Sequence, residues 1–375
     1  MKLNDKVQKD ILSIADLDFS LGDPLLGRLG NTPPFYFALF AYAVALFSSF
    51  IIAALAGTLF PGGEFAGQAL LNDWFYLLTE TISILVLWTY YGWISRAPKE
   101  ALVILAAAGT LAPEQTQLQK AAKILSNCWL TWVMLLSALV GAWVYYRQYA
   151  DPTPALWYNA SGGYLLFRTL LVILPVAFAT TSILIRIVVN VNVIKTLLKG
   201  VKVNPLHPDK AGGLAPLGQY ALRTSYLIAL AGIVVAFSLK VVIASQNSAS
   251  AAFLVLGIIV YVIAAPYSFF APLGTAREAM KIAKTKALLE ISHQFDSDYT
   301  SAFGKLDGDA QPLKATLEKI EQLQKMQSIT ESFPIWPFDA ETLRKFFVAI
   351  SSPIIAGLIS LVTEKVLDFV KGLVQ

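Results

Sequence analysis

The sequence predicts an all-α integral membrane protein, a polytopic bundle of about seven transmembrane helices with an antiparallel helical hairpin on the cytoplasmic side. Three observations carry this prediction. Of the 375 residues, 56% are hydrophobic and only 14% charged, with a mean hydropathy of +0.60, well above soluble domains. Seven apolar stretches each approach the roughly 20 residues needed to cross ~30 Å of hydrocarbon. Lysine and arginine gather in alternate loops, the bias that orients membrane proteins.

Residues 1–34 form a cytoplasmic arm. Val7, Ile11, Ile14 and Leu17 recur at threes and fours, the spacing of a short amphipathic helix. Its charges and missing apolar core argue against a secretory signal peptide. A six-helix region follows over 35–273, with spans at Phe35–Phe60, Trp74–Ile94, Leu125–Tyr146, Tyr164–Val189, Gln219–Ser245 and Ser250–Pro272. Aromatic residues crowd the span ends, where their amphipathic rings suit the headgroup layer. Ala101–Leu111 is apolar but too short to cross, and Pro98 and Pro113 bracket it. It reads as a short helix on the membrane surface or under the bundle. A true span there would invert the later topology.

The cytoplasmic loops are 95–124 and 190–218. Each connection on that side carries at least four Lys or Arg, whereas 61–73 and 246–249 carry none. This places the N-terminus in the cytoplasm and the C-terminus on the opposite side of a plasma (inner) membrane. The sequence pI near 8.9 then reflects orientation. No basic and aromatic patch of the kind that binds single strands is present, so nucleic acid is not an expected partner.

Residues 274–333 are the sizeable polar part. Met280, Ala283, Ala287, Ile291 and Phe295 mark one helix. Leu313, Leu317, Ile320 and Leu323 mark a second, after the turn signal Leu306-Asp307-Gly308-Asp309. Two such helices joined by a turn form a hairpin. A lone hairpin has little core, so homo-oligomeric contacts beneath the membrane are expected. Purely intramolecular packing is the alternative. Residues 334–375 hold an anchor, the seventh span Phe346–Glu364 and a short tail. Pro334, Trp336 and Pro337 fix an extended interfacial path, and Asp339 suits a helix N-cap. The same residues could act as a hinge between hairpin and span.

Charges within apolar spans are costly and mark functional candidates. Glu80, Arg168 and Lys240 fall at similar depth in the outer half. They read as a structural ion pair with a surplus positive charge, or as a vestibule attracting a small ion or anion. Arg186 and Arg223 read as snorkelling to phosphates at the inner ends, and Asn190 and Asn192 continue that polar zone. In the last span Ser352, Ala356, Gly357, Ser360 and Thr363 share a face of small residues, which permits close helix packing or lines a narrow pore. Cys128, the single cysteine, reads as a small core residue of the third span.

His207-Pro208-Asp209-Lys210 resembles the signature loop of J-domain co-chaperones. That family sets it between soluble helices, whereas apolar spans flank it here. The loop His207, Asp209, Lys210, Gly212 and Gly213 therefore reads as a shaped docking turn, or as a contact for an anion or a metal. Two histidines and one thiol without paired spacing support no metal centre and no cofactor. No GxSxG, Walker A or GxGxxG is present, and no enzyme is expected. The order of parts (amino end inside, seven spans, a hairpin before the last) is similar to that of insect chemoreceptor channels. This is a likeness of topology rather than of motifs, and it implies a gated, homo-oligomeric pore. The rival is a non-conducting sensor or scaffold whose hairpin recruits a partner. A membrane enzyme would need a clustered polar site within the bundle.

Overall fold

A computed structural model describes residues 5–20, 23, 26, 32–60, 69–150, 157–158, 161–204, 207, 209, 211–245, 248–303 and 310–374. Side chains are described outside 237–253, 310–313, 360–374 and a few single positions. Every α or β element among the described residues is a helix. In chain order these are α1 (Asp5–Ala15), α2 (Pro34–Leu55), α3 (Trp74–Trp93), α4 (Ala97–Ala107), α5 (Gln115–Leu125), α6 (Trp129–Tyr149), α7 (Gly162–Arg168), a π-helical turn (Thr169–Ile173), α8 (Leu174–Leu197), α9 (Ala215–Ser245), α10 (Ser248–Phe303), α11 (Ala310–Ser332) and α12 (Ala340–Val374).

Among the described residues, four stretches are long and apolar enough to cross a membrane: Pro34–Leu55, Gln115–Tyr149, Gly162–Leu197 and Leu254–Phe303. Only 17% of the apolar window in Gln115–Tyr149 is buried by the chain itself. Trp132, Leu136 and Trp143 stand exposed on α6, and apolar surface of that extent needs a lipid or protein cover.

Local sequence explains the helix boundaries. Proline at the first position of α2 loses no helical bond, because that amide has no partner anyway. A reciprocal cap between Glu114 and Gln117 starts α5. The expected third span is interrupted: α5 ends at Leu125, and α6 starts at Trp129 after Ser126 and Asn127. Cys128 lies at that junction and is exposed. This corrects its reading as a core residue, since the side chain sits at a helix start rather than inside a packed span. Helix α8 runs to Leu197, so the predicted loop 190–218 narrows to 198–214.

The Ala101–Leu111 segment is mostly α4, an 11-residue helix. Its Leu102 and Leu105 are fully buried, in a cluster shared with Ile14, Leu17 and Phe19 of the N-terminal arm and Val193 and Leu197 of α8. This cluster is the largest core. A second joins α2, α3, α8, α9 and α10 around Trp88, Tyr91 and Ile183. A third, small one holds Ile52, Leu70 and Trp157 at the opposite end.

Helix α10 continues unbroken through Pro266 and Pro272. At 1.5 Å per residue, its 56 residues extend about 84 Å, far beyond a bilayer's ~30 Å core. Helix α11 contacts it in antiparallel order. Lys319 Nζ lies 2.8 Å from Asp298 Oδ1, and Lys284 Nζ donates to Glu331 O at 2.6 Å and Phe333 O at 2.9 Å.

Helix α9 packs between α10 and α12. Near Gly232 the three come so close that a Cβ there would overlap the Tyr261 ring and lie 2.8 Å from Pro353 Cγ. Pro353 cannot bond the carbonyl of Ala349. Ser352 Oγ donates to that oxygen at 2.7 Å, and Tyr261 OH donates to Ile350 O at 2.6 Å. Side-chain hydroxyls thus satisfy backbone groups at the proline break.

Candidate functional site

Among the described residues the most heavily buried charge is Arg186, fully enclosed on α8. Its guanidinium is held by four donations. Nε reaches Ser182 Oγ at 3.0 Å, Nη1 reaches Phe19 O at 2.7 Å, and Nη2 reaches Ser20 O at 2.6 Å and Asp23 Oδ2 at 3.2 Å. Asp23 is equally buried, and its Oδ2 also accepts from Tyr91 OH on α3. The arm presents its carbonyls because Asp18 caps the Ser20 amide and hydroxyl, both at 2.8 Å, and so turns the chain. One helical turn further along α8, Asn190 Nδ2 donates to Ile94 O at 2.9 Å, closing the end of α3.

This corrects the expectation that Arg186 snorkels to phosphate. A guanidinium with five donors is satisfied more completely by carbonyls and a carboxylate than by extension toward an interface. The sequence signal for this site is Ser182, Arg186 and Asn190 at steps of four, a polar stripe along an otherwise apolar helix. Asp23 has no such local signal, because it reaches the site through tertiary folding.

At the other end, Glu80 on α3 and Arg168 on α7 are both buried, at 9% and 4% exposure. The Arg168 guanidinium lies over the rings of Trp157 and Tyr158, at 4.7 and 4.5 Å, and Nε donates to Tyr145 OH at 3.2 Å. Aromatic faces attract a desolvated guanidinium. Thr58 Oγ1 donates to Trp157 O at 3.1 Å, tying the two connecting segments together. The Lys240 side chain lies outside the described residues. Immediately after Arg168 comes the π-helical turn, two residues before Pro175. Pro175 has no amide to bond Leu171 O, and the widened turn accommodates the loss.

The loop before α9 is organised by Asp209. Its carboxylate accepts from the amides of Ala211, Gly213 and Ala215 at 2.9, 3.0 and 3.3 Å, and His207 Nδ1 lies 2.7 Å from Oδ1. Gly212 and Gly213 have φ of +67° and +88°, which side chains resist. A Cβ on Gly213 would also stand 2.5 Å from Thr110 Oγ1, so the loop docks tightly against the end of α4. Lys210 lies outside the described residues. Among the described residues no cluster of three metal-ligating side chains exists.

Burial alone would push the Asp209 carboxyl up. The Gly213 and Ala211 amides, His207 and the Ala215 amide outweigh it and hold the carboxyl below its ordinary value. A folded value below the unfolded one gives stability that is present above the ordinary carboxylate range and lost as pH falls through the folded value. Asp209→Ala is therefore expected to cost about 0.5–2 kcal/mol at neutral pH, as lost caps do. It should also flatten the acid limb of stability against pH, read by thermal unfolding in detergent from neutrality to pH 3.

The 333–339 linker turns inward. The Trp336 ring lies under the Arg277 guanidinium at 4.6 Å and against Phe270 at 6.0 Å, while Phe346 stacks on Phe269 at 4.1 Å. Pro334 is exposed and Pro337 buried. Asp339 Oδ1 accepts from Thr342 N at 2.8 Å, starting α12. On α12, Gly357 is buried, and a Cβ there would meet Ala236 of α9 at 3.6 Å. Ser352 and Ala356 are half-buried, and the side chains of Ser360 and Thr363 lie outside the described residues.

No protein-family model matches this sequence, no curated protein is significantly similar to it, and no solved structure matches it.

Proposed function

We propose that the chain is one subunit of a gated, homo-oligomeric membrane pore. In this reading it has seven spans, the three beyond the four apolar stretches already named being α3, α9 and α12. The amino end lies in the cytoplasm and the carboxyl end on the other side. The 274–333 helices form the cytoplasmic hairpin, which serves as the assembly or gating module.

The observation that carries the reading is a pair of buried guanidinium groups at two levels of one apolar rod. Arg168 and Arg186 are 18 residues apart, or about 27 Å at 1.5 Å per residue, with the π-helical turn and Pro175 between them. Ionisable groups inside spans mark ion or substrate routes, and broken helices serve transport where they line a pathway. Asp23 balances the charge of Arg186, so Arg168 is the positive group that favours a small anion as the permeant species. Gly357 packs on α9 and so has a structural role. This leaves Ser352, Ala356, Ser360 and Thr363 as the axis-facing candidates.

The exposed Ile282, Leu289, Met326 and Ile329 of α10 and α11 also favour a second reading, a non-conducting scaffold whose hairpin recruits a partner. Purified protein in liposomes separates the two. The pore reading expects anion flux that falls when Arg168 is replaced by glutamine. No flux across varied ions and voltages, with a co-purifying partner lost on deletion of 274–333, would support the scaffold and reject the pore.

A further inference from the structure

A half-open trough of about 130 Å³ runs between α2, α3 and the start of α8. Its floor is made by Ala41 and Ala45, small residues one turn apart on α2. Ile84 and Trp88 of α3 form one wall, and Leu171 and Pro175 form the other. The trough exists because α2 packs along α3 but meets the 162–173 segment only lightly. The π-helical turn before Pro175 displaces the backbone on that side.

We propose that this trough seats a short mid-chain segment of one acyl chain of a bilayer phospholipid, with the lipid's polar end toward Glu80 and Arg168. The inference rests on these helices lying in a bilayer and is independent of ion conduction.

Depth supports this occupant. Ile84 and Trp88 are 10 and 14 residues into α3, about 15 and 21 Å along it, and Leu171 and Pro175 are about 14 and 20 Å from Gly162. Both walls therefore lie near the middle of a ~30 Å hydrocarbon layer, where a lipid tail is the abundant ligand. The rim opens to the surroundings through Phe40, Val44 and Leu171, which are 66%, 40% and 40% exposed. The lining residues are all aliphatic or aromatic, which suits a hydrocarbon tail.

Polarity supports the orientation. Glu80, Ile84 and Trp88 fall at steps of four on α3, so the carboxylate stands one turn beyond the wall. Arg168 stands at the matching level before the π-helical turn. Each is about 9 Å in from its helix start, six residues from Trp74 and from Gly162 respectively. An apolar trough with ionisable groups at one end matches an amphipathic chain that enters from that leaflet.

The test uses the full chain in phosphatidylcholine nanodiscs containing a phosphatidylcholine analogue with a diazirine at mid-chain. Adducts are mapped by mass spectrometry. Labelling of the trough segments 40–45 and 171–176 is expected several-fold above that of α6, where Leu136 and Trp143 are as exposed as Phe40. Ala41→Trp, which fills the floor, should reduce trough labelling to the α6 level without lowering the unfolding temperature. Labelling that simply tracks exposure in the wild type overturns the proposal even if the variant misfolds. Undiminished trough labelling in a folded variant overturns it as well.

Discussion

Replacing Arg186 with alanine is expected to be among the most damaging single changes in this protein, costing about 3–5 kcal/mol, the range for breaking a buried ion pair from one side. The Asp23 carboxylate, 1% exposed, would keep only part of its support, and the carbonyls of Phe19 and Ser20 would lose a shared donor. Asp23→Asn should cost less. The guanidinium keeps its carbonyl partners and the amide oxygen can still accept, but the charge is no longer balanced. Replacing both residues with apolar ones, Asp23→Leu with Arg186→Met, should recover much of the loss, because desolvating the pair offsets most of its attraction. Thermal unfolding in detergent, followed by tryptophan fluorescence, measures all three. Equal destabilisation by the double variant and by Arg186→Ala would show that the hydrogen-bonded backbone of the arm, rather than charge balance, governs the site.

The second large effect is expected at Gly232. A valine there would overlap the Tyr261 ring and press on Pro353, prying α9 from α10 and α12 together. Overpacking of this kind costs about 1–3 kcal/mol, and lost contacts between three helices add to it. Gly274 is the matched control. It lies inside α10, and nothing stands within 4 Å of a Cβ there. Gly274→Ala should stabilise the protein by roughly 0.5–1 kcal/mol, since glycine is a poor residue for a helix interior. Tyr261→Phe, which removes the donor to Ile350 O, should cost about 1 kcal/mol. Opposite signs at the two glycines, read in one unfolding assay, are the decisive pattern.

Much of the helical architecture was legible in the sequence because bilayer-length apolar runs are one-dimensional signals. The helical state of all seven predicted stretches, the short α4 under Pro98 and Pro113, and a helix starting at Asp339 all follow from local residues. The legibility stopped where partners are distant in sequence. Arg186 stands near the inner end of the predicted fourth span, Tyr164–Val189, where snorkelling is the local solution. Only the fold brings Phe19, Ser20 and Asp23 around it, more than 160 residues away in the chain. Cys128 was misread for the opposite reason. Apolar neighbours on both sides concealed the Ser126-Asn127 interruption that ends α5. The π-helical turn leaves only Pro175 as its trace, and a proline in a span does not specify how the backbone yields. Arg168 was legible as a buried charge. Its aromatic surroundings were not, because Trp157 and Tyr158 lie in a connecting segment whose path no periodicity records.

Conduction, the orientation of the hairpin and the leaflet that supplies the trough all depend on an odd number of crossings. The most direct measurement is the sidedness of the two chain ends in intact cells, using compartment-specific reporters fused separately before residue 1 and after residue 375. The account predicts a cytoplasmic signal from the first fusion and a signal from the opposite compartment from the second. Both ends reporting from the same compartment would contradict it.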